Sequence, residues 1–553
     1  MEFELLLENF EVVAEAPGGV DRIREIIINL AISGTLVDQN DCEEPAQLLL
    51  ERIGGDIADL VTCGVKRGRP PAELIDPVSD VPSGWAWTRI FDLGIVGPSN
   101  TAEDSVISGF VPMALVPVQL GESNGHERKS WGEIRKGYTH VADGDVAVAK
   151  ITPCFQNGKS VVFSNLPNGI GAATTELFVL RPTWEGVDPH YVLLFLKSRK
   201  FLDGGIWTMT GTAGQQRIPR DYFSGCPFSL PPLAEQKRIV VKVNELMSLC
   251  NGVELRHRER ASVAIHARKS ALSVMTTSQS PEESSKAWHR VESNWLNLFS
   301  EREAIDDVRQ SVLDLAFRGK FEEPNEDQTT VTKLLETIRR EPGESRFDSE
   351  AVGPWSIPTG WRWVPFSDIA DCRLGKMLDG AKNSGNWRSY LRNTNVQWFR
   401  FELADIAQMR MEDHEVSEFS LRPGDLLICE GGEPGRVAVA DETVRGLLFQ
   451  KALHRARPLG GINPWYLAYF LRSEATSGRL SELFTGATIK HLTGRSLSRL
   501  LVPLPPVREQ DRIVGKIAGL FDGCENLADA LQRRSNSAAS FAVGLTLPAA
   551  TPH

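Results

Sequence analysis

Three stretches of this chain occur twice and in the same order, which is the pattern of a tandem duplication. The matched pairs are 21–37 (DRIREIIINLAISGTLV) with 306–322 (DDVRQSVLDLAFRGKFE), 81–94 (VPSGWAWTRIFDLG) with 357–370 (IPTGWRWVPFSDIA), and 231–240 (PPLAEQKRIV) with 505–514 (PPVREQDRIV). The copies are 285, 276 and 274 residues apart. This near-constant spacing predicts that the 553 residues hold one unit used twice, rather than three or four unrelated domains.

Each copy contains a long helix whose apolar residues have heptad spacing. Pro231 and Pro232 suit the start of the first of these helices, because the N–H groups that proline lacks have no partner there. The two apolar series are Ile239, Val243, Leu246, Cys250 and Val253, and Ile513, Ile517, Leu520, Cys524, Leu527 and Leu531. A stripe this narrow is typical of a coiled coil. An ordinary core helix is the alternative for any one of them.

Each copy also contains a short amphipathic helix, at 20–33 and at 304–318, and Gly34 or Gly319 ends it. Four such helices favour long paired coils. The expected pairs are 233–272 with 304–318, and 507–534 with 20–33, which would create a pseudo-two-fold axis. The Ser-rich stretch 276–286 is the expected linker where the chain turns back.

Between these helices, the sequence alternates short apolar runs with Gly, Pro and Asp turns, as in GDVAVAKITP and GDLLICEGGEPGRVAVA. A helix is expected near the end of each such region, at 189–203 and 464–480. The predicted fold class is α+β, with two mixed α/β domains separated by long antiparallel coiled-coil helices. The predicted segments are an N-terminal helical region (1–80) that pairs with the C-terminal helix, a first domain (81–230), a central helical spacer (231–356), a second domain (357–504) and a C-terminal helical region (505–553).

The composition narrows the class of protein. Hydrophobic residues make up 41% and charged residues 24%, which is ordinary for a soluble globular chain. No run of 18 apolar residues predicts a membrane span, the acidic N-terminus does not resemble a secretory signal, and none of the eight cysteines forms a CxxC pair. We therefore expect a cytoplasmic protein. The net charge of −11 argues against a nucleic-acid binder held by bulk positive charge.

The second domain nevertheless contains a strongly basic stretch, 373–400, in which aromatic and Asn residues are interleaved. Its basic residues are Arg373, Lys376, Lys382, Arg388, Arg392 and Arg400, with one acid, Asp379. Basic groups neutralise phosphates, and Asn or Arg side chains read base edges. The alternative is a solvated loop face. In the first domain we select Lys150, Thr152, Lys159 and the polar run Thr174, Thr175 and Glu176 as weaker candidates, for which a role in turns or strand edges is equally compatible.

A Thr-Gly loop occupies the same place in both copies, just before the long helix. It reads TGTAGQQRIPR at 210–220 and TGATIKHLTGR at 485–495. Small residues let the backbone approach a ligand, and Gln216, Arg217, Lys490 and His491 can donate to bases or phosphates. A simple connection between strand and helix is the alternative.

The sequence offers no credible catalytic set. A dinucleotide-binding GxGxxG after a clear strand, a P-loop, HExxH and GxSxG are all missing, and no metal ligands are predicted. Asp221 with Glu235 and Lys237 resembles a nuclease carboxylate set. The second copy has Glu509 and Asp511 at the corresponding places, so we assign Glu235 and Glu509 to helix starts, near the positive end of the dipole.

Taken together, these motifs resemble the specificity (S) subunits of Type I restriction–modification systems. The resemblance rests on the PPxxEQxxIV helix starts, the xPxGWxW domain starts and the AISGTLV/AFRGKFE helix ends, and it covers about 20–545. Many members of the family begin directly at the first recognition domain. This chain has about 80 residues first, which resembles a circularly shifted arrangement and leaves the use of residues 1–20 open.

The resemblance implies that 81–230 and 357–504 are target recognition domains, each reading one half of a split DNA sequence, with the helices as spacer. It implies a subunit without an active site or cofactor of its own. Two modification subunits would bind S-adenosylmethionine and methylate adenine, and restriction subunits would use ATP and Mg²⁺. The alternatives are an undetected nuclease or methyltransferase activity and a scaffold that binds proteins alone.

Overall fold

A computed structural model provides the structure of the chain. It describes residues 8–71, 80–183, 186–212, 214–278, 281–321, 331–339, 351–377, 379, 383–486 and 489–546. The described residues form two compact units. Unit 1 runs to Arg260 and includes the chain from Ser535 onward, and unit 2 is Ala261–Arg534. Each of the two long helices thus contributes to both units.

Unit 1 holds the first mixed domain between helices. Its helices are α1 (Phe10–Ala14), α2 (Gly19–Ser33), α3 (Ala46–Thr62), α4 (Trp131–Ile134), α5 (Pro189–Leu196), α6 (Arg199–Thr208), α7 (Arg220–Gly225) and the first part of α8 (Leu233–Thr277). Its strands are β1 (Ala86–Arg89), β2 (Gly94–Val96), β3 (Ile107–Val111), β4 (Glu127–Ser130), β5 (Thr139–Ala142), β6 (Val146–Ala149), β7 (Ser160–Val162), β8 (Ile170–Ala173), β9 (Leu177–Pro182) and β10 (Pro227–Leu230).

Unit 2 repeats this plan. Its helices are the rest of α8, α9 (Pro281–Ser293), α10 (Trp295–Leu298), α11 (Ala304–Phe317), α12 (Val331–Arg339), α13 (Phe366–Ile369), α14 (Asp413–Phe419), α15 (Pro464–Thr476), α16 (Gly494–Ser498) and most of α17 (Val507–Thr546). Its strands are β11 (Arg362–Pro365), β12 (Ala370–Leu374), β13 (Asn386–Leu391), β14 (Val396–Gln397), β15 (Arg400–Phe401), β16 (Ala407–Met411), β17 (Leu426–Cys429), β18 (Val437–Val439), β19 (Leu448–Phe449), β20 (Leu453–Pro458) and β21 (Leu501–Leu504).

The strand order confirms the duplication and the mixed α and β character of both domains. Each unit has a four-stranded antiparallel sheet, β2-β9-β6-β7 in unit 1 and β12-β20-β17-β18 in unit 2. A second sheet contains one parallel pair, β3 with β8 and β13 with β19. A two-stranded ribbon, β1-β10 or β11-β21, joins the start of each domain to its end.

The central strands of the four-stranded sheets are buried apolar runs, VAVA in β6 and LLIC in β17. One buried ion pair flanks each run at the same place. Asp145, 1% exposed, accepts from Arg181 Nε at 2.7 Å, and Asp425, also 1% exposed, accepts from Arg457 Nε at 2.7 Å. A buried carboxylate requires such a partner, so each pair ties together the two central strands of its sheet, β6 with β9 and β17 with β20.

The repeated motifs meet at one junction in each unit. Gly34, which ends α2, has a φ of +75°, and a Cβ there would lie 2.5 Å from Pro82 Cγ. Gly319, with a φ of +69°, lies in the same way against Pro358, where a Cβ would be 2.1 Å from Cγ. The glycine therefore permits both the left-handed helix end and the close approach of the domain start.

The EQ pair of each long helix completes this junction. The Trp85 indole N–H donates to Glu235 Oε2 at 3.0 Å, and the Trp361 indole N–H donates to Glu509 Oε1 at 3.0 Å. Burial raises the pKa of the Glu235 carboxyl, while the bonds from Trp85 and Gln39 lower it. Both glutamates thus serve as structural acceptors at helix starts, as predicted.

The adjacent glutamines, Gln236 and Gln510, are fully buried. Gln236 Oε1 accepts from the Asp188 N–H at 2.8 Å, and Gln510 Oε1 accepts from the Asn463 N–H at 3.0 Å. Each glutamine therefore ties the start of its long helix to the start of α5 or α15, since Asp188 and Asn463 are the N-cap residues of those helices.

The heptad series of the first long helix is buried as predicted, at Ile239, Val243 and Leu246. In the second, Ile513 and Ile517 are buried, but Leu520 is 47% exposed, which corrects its assignment to the packed stripe. The reason is local: Phe521, one residue further along α17, packs on Tyr469 with ring centroids 5.6 Å apart.

Within its own unit, each short helix packs on a long helix. The α2 helix packs on α8 of its own unit, where Arg24 Nη2 donates to Glu254 Oε2 at 2.7 Å. The α11 helix packs on α17, where Arg309 Nη2 donates to Glu525 Oε2 and Ile305 shares a buried cluster with Cys524. Each short helix is thus held by the long helix that follows its own domain, because the junction motifs bring those two helices together.

Two further contacts refine that arrangement. The expected contact of 233–272 with 304–318 is present near the end of that stretch, where Arg268 Nε donates to Asp307 Oδ2 at 2.6 Å. Ala542 of α17 belongs to the buried core of unit 1, so the end of the C-terminal helix does pack with the N-terminal region's unit. The predicted linker 276–286 is largely helical, because α8 runs to Thr277 and α9 begins at Pro281.

Candidate nucleic-acid interface

Three loops of unit 1 meet where β6 ends and β9 begins. Ala149, the last residue of β6, pairs with Leu177, the first residue of β9. Just beyond, the Lys150 N–H donates to the Glu176 carbonyl at 2.9 Å, and the Ile218 N–H donates to the Lys150 carbonyl at 2.9 Å. We call the described residues 150–159, 174–176, 209–212 and 214–219 loop cluster 1.

Loop cluster 1 gathers most of the residues predicted for this domain. The Thr152 N–H donates to the Gln216 carbonyl at 2.9 Å, and Thr152 Oγ1 accepts from the Gln216 N–H at 3.0 Å. Lys159 lies at the end of its loop, where Nζ donates to the Met113 carbonyl at 2.8 Å, so that ammonium already has a backbone partner. The predicted residues brought together are Lys150, Thr152, Thr174, Thr175, Gln216 and Arg217.

Arg217 is held in a fixed position by Glu176, the last residue of the polar run selected from the sequence. Its Nε and Nη2 donate to the two Glu176 carboxylate oxygens at 3.0 and 2.8 Å, and Nη1 donates to the Gln215 carbonyl at 3.2 Å. The hydrogen bond from Arg217 holds the pKa of Glu176 below its ordinary range. The guanidinium is therefore oriented and largely neutralised, and it positions the loop more than it offers a free charge.

Unit 2 builds the same arrangement where β17 ends and β20 begins, at the pair Cys429–Leu453. The Glu430 N–H donates to the Ala452 carbonyl at 2.9 Å, and the Leu492 N–H donates to the Glu430 carbonyl at 2.8 Å. These bonds match the two in unit 1. We call the described residues 430–436, 450–452, 484–486 and 489–493 loop cluster 2.

The Thr-Gly loops are closed by equivalent backbone bonds. Thr210 and Arg217 exchange bonds of 3.0 and 2.9 Å, and Thr485 and His491 exchange bonds of 2.9 Å each. Arg217 and His491 therefore occupy corresponding positions. The His491 ring lies close to Gly431, where a Cβ would be 3.1 Å from Nδ1, so glycine makes room for the imidazole.

The two clusters differ in chemistry although their backbones correspond. Loop cluster 1 carries Lys150, Gln216 and Arg217 at the positions where loop cluster 2 carries Glu430, Lys490 and His491. One scaffold thus presents two different sets of donors and acceptors at the same end of its four-stranded sheet.

The basic stretch 373–400 runs from the end of β12 through β13 and β14 to the start of β15, and each of its described predicted cations is paired within unit 2. The ion pairs are Arg373–Glu418, Lys376–Glu415, Arg388–Asp413 (2.8 Å), Arg392–Asp405 (2.5 Å) and Arg400–Glu402 (2.8 Å). Lys382 lies outside the described residues. The acids come from 402–418, on and beside β16 and α14, so the expected excess of positive charge on this face is corrected to a nearly balanced surface.

Three exposed residues at these loops had not been selected from the sequence. Lys451, in loop cluster 2, is exposed and lies beside Lys376, to whose carbonyl its N–H donates at 2.9 Å. Glu433 lies in the loop after β17. Trp207, 90% exposed, is the second-last residue of α6, just before loop cluster 1. These three residues are identified only by their position in the fold, in or next to a loop cluster, since their local sequence has no distinctive pattern.

Among the residues that the structure describes, no group of three or more His, Cys, Asp or Glu side chains is placed to hold a metal ion. Within the same residues, no helix is long and apolar enough to cross a membrane. Each four-stranded sheet presents, at one end, loops with hydrogen-bonding side chains. This is chemistry suited to binding and readout.

Comparison with other proteins gives consistent results. The chain is 32% identical over 550 residues to the Type I restriction enzyme EcoAI specificity subunit of Escherichia coli, covering 92% of this chain and 90% of that one. It is 30% identical over 565 residues to the EcoEI specificity subunit of Escherichia coli, covering 96% and 93%. No family model matches.

The fold has a solved counterpart, in a structure reported under the description "structural basis underlying complex assembly and conformational transition of the type I R-M system". The TM-score is 0.53 at 18% identity, covering 85% of this chain and 98% of that chain. The protein thus belongs to the class of duplicated α+β chains that have two sheet domains and long connecting helices. More particularly, the chain belongs to the family of Type I restriction enzyme specificity subunits.

Proposed function

We propose that this chain is the DNA-recognition subunit of a Type I restriction–modification complex, and that each unit reads one half of a bipartite DNA target. One observation carries the proposal: loop clusters 1 and 2 have equivalent backbone bonds at the corresponding ends of the two four-stranded sheets, but carry different side chains. Two recognition sites that share one scaffold but differ in side chains match a DNA target whose two halves differ in sequence.

The side chains of the clusters suit base readout. Gln, Arg, Lys and Glu at the loop ends are donors and acceptors for base edges in the major groove, and the rigid sheet beneath limits their freedom. The ion pairs of 373–400 leave a surface with little excess charge. Affinity from phosphate contacts alone is therefore small, and specificity comes from the loops.

The partners complete this function. The helices α8 and α17 set the distance between the two half-sites and dock two modification subunits, and restriction subunits join that assembly. The chain itself is non-catalytic and holds no cofactor. S-adenosylmethionine, ATP and Mg²⁺ belong to the partner subunits, and the complex acts on DNA in the cytoplasm. With a net charge of −11, the chain relies on these partners for much of the contact with phosphates.

A reconstitution experiment tests the proposal. The purified chain is incubated with double-stranded genomic DNA, S-adenosylmethionine and Mg²⁺, with and without its modification subunits. We expect weak DNA binding that declines steeply with salt for the chain alone, and sequence-specific adenine methylation when the modification subunits are added. Methylation or cleavage by the chain alone, or no specific methylation by the complex, would refute the proposal.

A further inference from the structure

The loop after β17 presents one acid at its tip. Gly432 and Gly435 flank the tip with φ values of +81° and +91°, which few other residues adopt. Between them, the Glu433 side chain is 52% exposed. The corresponding loop of unit 1, 150–159, contains no Asp or Glu. Loop cluster 1 thus forms its backbone bonds without a carboxylate in this loop.

Two donors fix the Glu433 carboxylate. The Trp398 indole N–H donates to Oε1 at 2.8 Å, and Arg436 Nη1 donates to Oε2 at 3.1 Å. A carboxylate has about four acceptor positions, so two hydrogen bonds leave about half of them available. Glu433 is therefore held in one orientation while it still presents acceptors to solvent.

Trp398 is itself held firmly. It lies in the tight turn between β14 and β15, and Arg472 covers its ring with Cζ 4.6 Å from the centroid. The next residue, Phe399, has a φ of +66°, and its N–H donates to the Val437 carbonyl at 2.9 Å. A left-handed phenylalanine is unfavourable, and it persists here because the surrounding contacts fix the turn. The support beneath Glu433 is thus rigid.

A negative charge at Glu433 needs a physical explanation in a loop that contacts DNA. A carboxylate beside DNA is repelled by phosphates, and exposed Lys451 and Lys490 in the same loop cluster offset that repulsion in part. A carboxylate can only accept hydrogen bonds. In the major groove, the donors on base edges are the exocyclic amino groups, adenine N6 and cytosine N4.

We propose that Glu433 is a specificity-determining residue, whose carboxylate accepts a hydrogen bond from the exocyclic amino group of one base in the half-site read by unit 2. The inference rests on the proposed function and adds a chemical identity to one of its contacts. Its competitor is a purely structural role, in which Glu433 ties Trp398 to Arg436 and touches no DNA.

Two substitutions test this with the full chain in complex with its modification subunits. Glu433→Gln keeps the shape and one acceptor for Trp398, and Glu433→Ala removes the group. The matched control is Glu442→Gln. Glu442 also pairs with the arginine three residues later, Arg445, but it follows β18 and so lies at the opposite end of the β17–β18 hairpin.

The first readout is the methylated motif, determined by sequencing modified bases. We expect Glu433→Ala to relax one position of one half-site by about tenfold or more in discrimination, as for a lost base contact, and to leave the other half unchanged. We expect Glu433→Gln to alter preference at that same position, and Glu442→Gln to change nothing. An unchanged motif in both Glu433 variants, or equal slowing at every sequence, would overturn the inference.

The second readout identifies the base. At the relaxed position, synthetic DNA carries 2′-deoxynebularine for adenine or a 2-pyrimidinone deoxyriboside for cytosine, each of which lacks the amino group. One of the two should slow methylation by wild type about tenfold but leave Glu433→Ala unaffected. Equal slowing of wild type and variant by both analogues sinks the inference. If wild type still methylates a bipartite motif, the proposed function stands even when this inference fails.

Discussion

The junction between helix end and domain start makes a sharp prediction for Gly34→Ala. A Cβ at Gly34 would lie 2.5 Å from Pro82 Cγ and 2.9 Å from Trp85 Cζ2, at a φ of +75°. An alanine in the left-handed region costs about 1–2 kcal/mol. Forcing extra volume into a packed site costs about 1–3 kcal/mol more. We therefore expect the free energy of unfolding of unit 1 to fall by about 2–5 kcal/mol.

Gly18→Ala is the matched control. Gly18 has a similar φ of +69°, but a Cβ there meets nothing within 4 Å. Its cost is the backbone cost alone, about 1–2 kcal/mol. Amide hydrogen exchange in β1 and β10, which both belong to unit 1, measures the two variants. If Gly34→Ala destabilises these strands no more than Gly18→Ala does, the junction is not packed as described.

Two further predictions concern polar contacts of unit 1. Arg217 lowers the pKa of Glu176, so their pair stabilises the fold above the ordinary carboxyl pKa of 4.5. That contribution is lost as the pH falls through the lowered pKa. An NMR titration of the Glu176 carboxyl with a midpoint at or above 4.5 would contradict the pairing. Gln236→Ala leaves the half-buried Asp188 N–H without its acceptor, so thermal unfolding should show a loss of about 1–3 kcal/mol, whereas Lys237→Ala at the exposed neighbour should change stability by about 0.5 kcal/mol or less. Equal effects of the two substitutions would refute the role given to Gln236.

The internal repeat was enough to predict the duplicated plan, and local periodicity was enough to predict the long helices. Ile239 and Ile513 are buried because heptad spacing places such residues on one helix face. The assignment of Glu235 to a helix start also followed from the sequence. Both copies have a glutamate there, Glu235 and Glu509, but the second copy has Asp511 in place of Lys237, so the nuclease-like set is not repeated. These features depend on residues close together in the chain or on its internal repeat.

Features that depend on contacts between distant parts of the chain could not be predicted from local sequence patterns. The contact of 20–33 with α8 in unit 1 was not predicted, because periodicity shows that a helix needs a partner, but not which one. The net charge of the surface formed by 373–400 was misjudged because the acids that pair with its cations lie on and beside β16 and α14, outside the stretch whose charges were counted. Glu433 was missed because Trp398, which orients it, lies 35 residues away.

An exchange of one recognition domain tests the central claim most directly. Residues 357–504 are replaced by the corresponding domain of another family member with a different target, and the methylated motif of the complex is determined by sequencing modified bases. The account predicts that one half of the bipartite motif changes and that the other half stays as in wild type. A change in both halves, or in neither, would contradict the assignment of one half-site to each unit.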